Sequence, residues 1–237
     1  MKISVVIPAY NEEQSLPATL NSLVNQKTKY DFEVIIVDNN STDNTGKVAK
    51  SYENKLHVKV VQETQKGRGA ARKCGFAKAQ GDIIASTDAD TTLPGNWIES
   101  IGNFFEKNLK SIAVTALCKY PTKKISIAFF NLTLPFAFSL FKTFFGHYWL
   151  SGYSFAIKKE AYVTSGGFNA EIDGNEDSEL ATRVAKLGRI EYDRNITIEA
   201  SDRRFKDGLL KNLVPYFKTF YNMRQNKFAS TKLEDKR

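Results

Sequence analysis

Cysteine is scarce. Cys74 and Cys118 are the only two in 237 residues. Two thiols so far apart exclude a disulfide framework and lack the spacing of a structural metal site. They fit a reduced, cytosolic compartment. Histidine is as rare, with His57 and His147 only, and both read as structural rather than as ligands. The sequence has no internal repeat and no low-complexity tract. No signal peptide is expected, since the strand pattern Ile3-Ser4-Val5-Val6-Ile7 begins at once. What is present fits one large globular domain with ordinary apolar and charged fractions.

Acid is scarce at the C-terminal end. From Arg203 to Arg237 ten Lys and Arg face three Asp and Glu, a net +7, which leaves only +1 of the total +8 for the rest. A helix is expected over Asp207 to Arg224, with Leu209, Leu213, Phe217, Phe220 and Tyr221 on one side, Lys211 and Lys218 off that stripe, and a kink at Pro215. Basic and amphipathic together suit an anionic membrane surface. No nucleic-acid fold signature accompanies the charge, so nucleic acid is not expected as a partner.

Strand and helix patterns alternate along the chain. Strands are expected at Lys2–Ile7, Phe32–Val37, Val58–Val61 and through Ile83-Ile84-Ala85, then at Ile112–Leu117 and Ser154–Ile157. Helices are expected over about Glu13–Asn25, after Gly69, after Pro94, and from Asn175 through Leu187 to a stop at Gly188. This order indicates βαβ units and a parallel sheet. The Phe-rich stretch Ile127–Leu150 is long enough to cross a membrane, yet Asn131, Thr133, Pro135, Ser139, Lys142 and His147 interrupt it. It is expected to be a core-packing helix pair or an interfacial segment.

The fourth strand ends in Asp88-Ala89-Asp90. In an open α/β sheet, ligands collect at the carboxyl ends of strands. Two carboxylates one residue apart alternate in direction if extended, so one can face a ligand and the other the protein or a metal. Their hard oxygens suit Mg²⁺ or Mn²⁺, and a diphosphate adds more oxygens to the same ion. A solvated acidic turn is the competing reading of these residues alone.

The order of the motifs adds more than any one of them. Val5-Val6-Ile7-Pro8-Ala9-Tyr10-Asn11-Glu12, then Val37-Asp38-Asn39-Asn40-Ser41-Thr42-Asp43, then Lys66-Gly67-Arg68-Gly69-Ala70-Ala71-Arg72, then Asp88-Ala89-Asp90, then Glu176-Asp177 resembles the family 2 glycosyltransferases over about residues 1–200. The resemblance implies a GT-A, Rossmann-like fold: an α/β domain over 1–200 with a mixed, mainly parallel sheet flanked by helices. Residues 201–237 would form a basic, amphipathic helical extension. It also implies a nucleotide-diphosphate-sugar donor, transfer with inversion, and a divalent metal, Mn²⁺ or Mg²⁺.

Carried onto this sequence, the donor contacts are Pro8, Ala9, Tyr10, Glu12, Asp38, Arg68, Arg72, Asp88 and Ala89. Arg203 and Arg204 are later candidates beside the diphosphate. Asp88 is assigned chiefly to the nucleotide and Asp90 chiefly to the ion. Asp177 is the expected base, with Glu176 its neighbour. Each position also has a structural reading: Asp38 as cap of the Ser-Thr-Asp loop, Arg72 as an ion-pair partner, Glu176 and Asp177 as helix-start acids favoured by the dipole. Two departures from the family matter. There is no Gln-x-x-Arg-Trp, which points to single transfer rather than polymerisation, and no histidine follows Asp177 to serve as a late metal ligand. The acceptor is expected to be a hydroxyl or phosphate, polyprenyl- or lipid-linked, with the protein peripheral on the inner face of the cell membrane. A nucleotide-sugar-binding partner subunit without turnover and a nucleotidyltransferase are the alternatives.

Overall fold

The computed structural model describes residues 1–120 and 125–200. Its main sheet has seven strands in the order β3-β2-β1-β4-β8-β6-β9. These are β1 (Lys2–Ala9), β2 (Asp31–Asp38), β3 (Val58–Gln62), β4 (Ile83–Thr87), β6 (Ser111–Thr115), β8 (Ser154–Lys158) and β9 (Arg189–Tyr192). The first four are mutually parallel, β8 runs antiparallel to both β4 and β6, and β9 is parallel to β6. The mixed, mainly parallel sheet is the architecture that the family resemblance implies, and the antiparallel β8 is what the strand-helix alternation alone does not indicate. A small second sheet orders β5 (Thr91–Thr92), β10 (Ile198–Ala200) and β7 (Cys118–Lys119).

Both faces of the main sheet are covered, which is why its strands read as nearly unbroken apolar runs. Period-two alternation divides them between two cores. Ile3, Val5 and Ile7 pack with Leu16, Leu20 and Leu23 of α1 (Leu16–Val24) and with Trp97, Ile98 and Ile101 of α4 (Trp97–Lys107). Val6, Ile35 and Val37 pack instead with Phe76 of α3 (Arg68–Lys78) and Leu180 and Val184 of α7 (Glu176–Val184). Phe76 is the hub of that second core, with its ring centroid 4.7 Å from Tyr162 and 5.0 Å from Phe168. Shorter helices α2 (Thr45–Lys50) and α6 (Lys159–Thr164) complete the layers.

Two expectations need correction. The Phe-rich stretch is one helix, α5 (Ile125–Phe145), rather than a helix pair, and it carries Pro135 inside. Hydroxyls brace its turns, as Thr133 donates to the Phe129 carbonyl at 3.1 Å and Ser139 to the Pro135 carbonyl at 3.2 Å. One face of α5 is buried: Phe138 stacks on Tyr148 at 5.2 Å and meets the edges of Trp149 at 4.1 Å and Tyr192 at 5.3 Å. Helix α7 also ends early, at Val184, and the amides of Leu187 and Gly188 both turn back to the Val184 carbonyl. The helix expected over 207–224 lies outside the described residues.

Candidate active site

Strand order determines where a ligand can sit. The chain leaves β1 toward β2 and β3 on one side, and β4 enters on the other side, so the crevice opens between the carboxyl ends of β1 and β4. Tyr10 follows β1 and Asp88 follows β4. Because β8 is antiparallel, the residues before it, Ser151 and Gly152, arrive at the same edge, with Ser154 in register with Thr87.

On the β1–β2 side the loops are laced together. Asn11 has φ 53°, and its Oδ1 accepts the Thr42 amide at 2.8 Å while its own amide donates to Ser41 Oγ at 3.1 Å. The Glu12 amide donates to Thr45 Oγ1 at 2.8 Å, and the Glu12 side chain is buried. Asp38 is buried at the end of β2, where its two oxygens accept the Ser41 amide at 3.0 Å and Gln62 Nε2 at 2.8 Å. Asn39 was not among the expected residues, yet it spans the crevice wall. Its Nδ2 donates to the carbonyls of Glu63 and Gln65, and its Oδ1 accepts the Gly67 amide at 2.9 Å. Lys66 lies over the Tyr10 ring at 5.4 Å, and the Arg68 amide donates to Asp173 Oδ1 at 3.1 Å. Pro8, Tyr10 and Arg68 are half-buried, while Ala9 and Ala89 are buried.

Arg72 joins the two halves of the site. It is 3% exposed, and its two terminal nitrogens take different acids. Nη2 donates to Asp88 Oδ1 at 2.7 Å, Nη1 pairs with Glu176 Oε1, and Nε lies 3.4 Å from Ser86 Oγ. One guanidinium therefore connects the end of β4 to the first residue of α7 (residues 72, 88 and 176). Its fork geometry suits this bridging role better than a lysine would. Asp177, next on α7, is half-buried. Its Oδ2 accepts the Gly152 amide at 2.7 Å and its Oδ1 the Ser178 amide at 2.7 Å.

Gly152 is a second residue that no spacing rule signalled. A Cβ there would fall 2.7 Å from Arg72 Nη2 and 3.0 Å from Asp177 Oδ2, while Ser86 Oγ donates to its carbonyl at 2.9 Å. Only glycine lets the backbone approach both groups. Gly152→Ala is expected to lower turnover about 10- to 100-fold by shifting Asp177 and Arg72, since ångström displacements cost that much. Initial rates beside a thermal melt check it; a variant with wild-type kcat would show that the contact does not matter.

Burial pushes the Glu176 carboxyl above the usual carboxylate range, against the Arg72 charge that pulls it down and with the neighbouring Asp177 pushing it further up. The folded state therefore holds this proton more tightly than the unfolded chain. The stability Glu176 contributes is full below the ordinary glutamate value of about 4.3 and is lost as pH rises through the raised value. Wild type minus Glu176→Gln stability should accordingly fall with rising pH across that window. Melts at stepped pH measure it, and a flat difference would refute the shift.

Three comparisons with known proteins bear on this geometry. The model of the family described as glycosyl transferase family 2 matches residues 4–167. The chain belongs to glycosyl transferase family 2. Poly(ribitol-phosphate) beta-N-acetylglucosaminyltransferase TarS of Staphylococcus aureus is 31% identical over 138 residues, which are 57% of this chain and 24% of TarS. The chain thus spans about a quarter of that relative's length. The crystal structure of S. aureus TarS 1-349 with UDP-GlcNAc superposes with a TM-score of 0.70 at 24% identity, over 85% of this chain and 59% of that one. Mannosyltransferase PcManGT from Pyrobaculum calidifontis, in complex with GDP-Man and Mn²⁺, gives a TM-score of 0.66 at 25% identity, over 83% of this chain and 56% of its own.

Asp88 and Asp90 stand at the end of β4, and Asp88 Oδ1 already accepts from Arg72 Nη2. Among the described residues no group of three or more His, Cys, Asp or Glu side chains gathers as a metal cage. Ions of the Mg²⁺ type are commonly held by one or two carboxylates plus substrate oxygens, a chemistry that two carboxylates such as Asp88 and Asp90 could serve. Arg203 and Arg204 lie outside the described residues.

Proposed function

We propose that the chain transfers a sugar, with inversion, from a nucleotide-diphosphate sugar to an acceptor hydroxyl or phosphate. The observation that carries this reading is the Asp88–Arg72–Glu176 bridge, which ties the acidic end of β4 to the start of α7. In it the donor lies in the crevice between β1 and β4, with Tyr10 and Asp38 on the nucleoside side and Asp88 toward the diphosphate. Asp177 takes the acceptor proton at its carboxylate. Arg72 keeps Asp88 and the α7 terminus in register. Asp90, with Asp88, would hold a divalent ion, and such an ion supplies Lewis-acid neutralisation of the leaving diphosphate.

Support for the donor class comes from family membership and from neighbours whose structures contain UDP-GlcNAc or GDP-Man with Mn²⁺. The acceptor in this reading is polyprenyl- or lipid-linked and the protein works at the cytoplasmic face of the membrane. Domain limits follow the motifs, with transfer chemistry in 1–200 and a basic extension in 201–237. Calorimetric titration with UDP, GDP and dTDP, with and without Mn²⁺, tests the donor half. One nucleotide should bind, with the metal strengthening binding in wild type and not in Asp90→Ala. Failure of all three to bind would overturn the reading.

A further inference from the structure

Helix α5 has a second face that the fold does not use. At 1.5 Å per residue its 21 residues span about 31 Å. Phe129, Leu132, Phe136, Leu140 and Phe144 recur at intervals of three and four, so they line one side. They are 63%, 76%, 73%, 45% and 76% exposed. Ile127, Phe138 and Phe141, on the opposite side, are buried against the domain. An exposed apolar stripe of this length is more than scattered surface hydrophobics and marks an interaction surface.

The charge around the stripe selects its partner. From Lys119 to Tyr153, the stretch that contains the helix, the sequence holds four lysines and no acidic residue. Lys119, Lys123 and Lys124 come just before the helix, and Lys142 lies within it. The chain also leaves the described residues beside this point: Glu199 of β10 is in register with Lys119 of β7, and the segment that follows carries +7 from Arg203 onward. Two copies joined through this face would bring like charge to like charge, which disfavours self-association. An anionic bilayer matches both the apolar stripe and its basic surround.

We propose that α5 lies in the plane of an anionic membrane surface, with Phe129, Leu132, Phe136, Leu140 and Phe144 inserted among the lipids. Ile127–Phe145 is long and apolar enough to cross a membrane. It lies along the surface instead, because Phe138 and Phe141 hold its other face to the soluble domain. The proposal is independent of the transfer reading, since it requires neither donor nor turnover.

The test is flotation of the full chain with phosphatidylglycerol–phosphatidylcholine vesicles and with phosphatidylcholine vesicles alone, for wild type and for Leu132→Glu/Phe136→Glu. Both positions are exposed, so folding should survive, and unchanged melting verifies it. Wild type should float with the anionic vesicles, and the double variant should float about tenfold less or worse, because charge at an inserted face is expelled. Three results would each overturn the proposal: no flotation of wild type, undiminished flotation of the double variant, or a wild-type dimer that the double variant converts to monomer. The last would assign the stripe to a second copy of this chain.

Discussion

Asp177→Asn should bind the donor as well as wild type does while turning it over about 10²- to 10⁴-fold more slowly, the range a positioned general base contributes. The substitution keeps the shape of the side chain and an oxygen able to accept the Gly152 amide, which now reaches Asp177 Oδ2 at 2.7 Å. What it removes is the capacity to take a proton from the acceptor. The effect should therefore appear in kcat and leave the donor KM nearly unchanged. Initial rates across donor concentration measure both. A variant within threefold of wild type would transfer the role of base to another group.

Arg72→Met should destabilise the fold by about 3–5 kcal/mol, the cost of leaving a buried charge without its partner. Arg72 and Glu176 side chains are each 3% exposed, so water cannot screen the loss. At roughly 2–4 °C per kcal/mol for a chain of this size, the melting shift is easily read. Adding Glu176→Gln to Arg72→Met should restore part of the stability, because the stranded carboxylate is gone. It should not restore turnover, since Asp88 has also lost its Arg72 bond. A double-mutant cycle separates these terms. Equal destabilisation in the single and double variants would mean that the pair acts through packing alone.

Much of this site is legible without coordinates, for a physical reason. β1, β2 and β4 are buried on both faces, so their apolar runs stand out and their ends fall at Ala9, Asp38 and Thr87, next to Tyr10 and Asp88. Local chemistry also marks the start of α7, where Glu176, Asp177 and Glu179 crowd the first turn. Other features depend on long-range geometry. Arg72 contacts Asp88 and Glu176, 16 and 104 residues away, so spacing alone leaves donor contact and ion pairing equally open. Gly152 reaches the site only because β8 runs antiparallel. Strands β5, β7 and β10, of two or three residues, are too short to carry a period. The Phe-rich stretch gives no clue to pairing, since one helix and two give the same composition.

The most direct test of the central claim is release of nucleoside diphosphate from UDP-, GDP- and dTDP-sugars, with Mn²⁺ or with chelator, by wild type, Asp90→Ala and Asp177→Asn. Vesicles bearing a polyprenyl phosphate would be present as acceptor. The account predicts metal-dependent release from one donor by wild type and its loss in both variants. Release that persists in Asp177→Asn and Asp90→Ala alike, or pyrophosphate formed from a nucleoside triphosphate in its place, would contradict it.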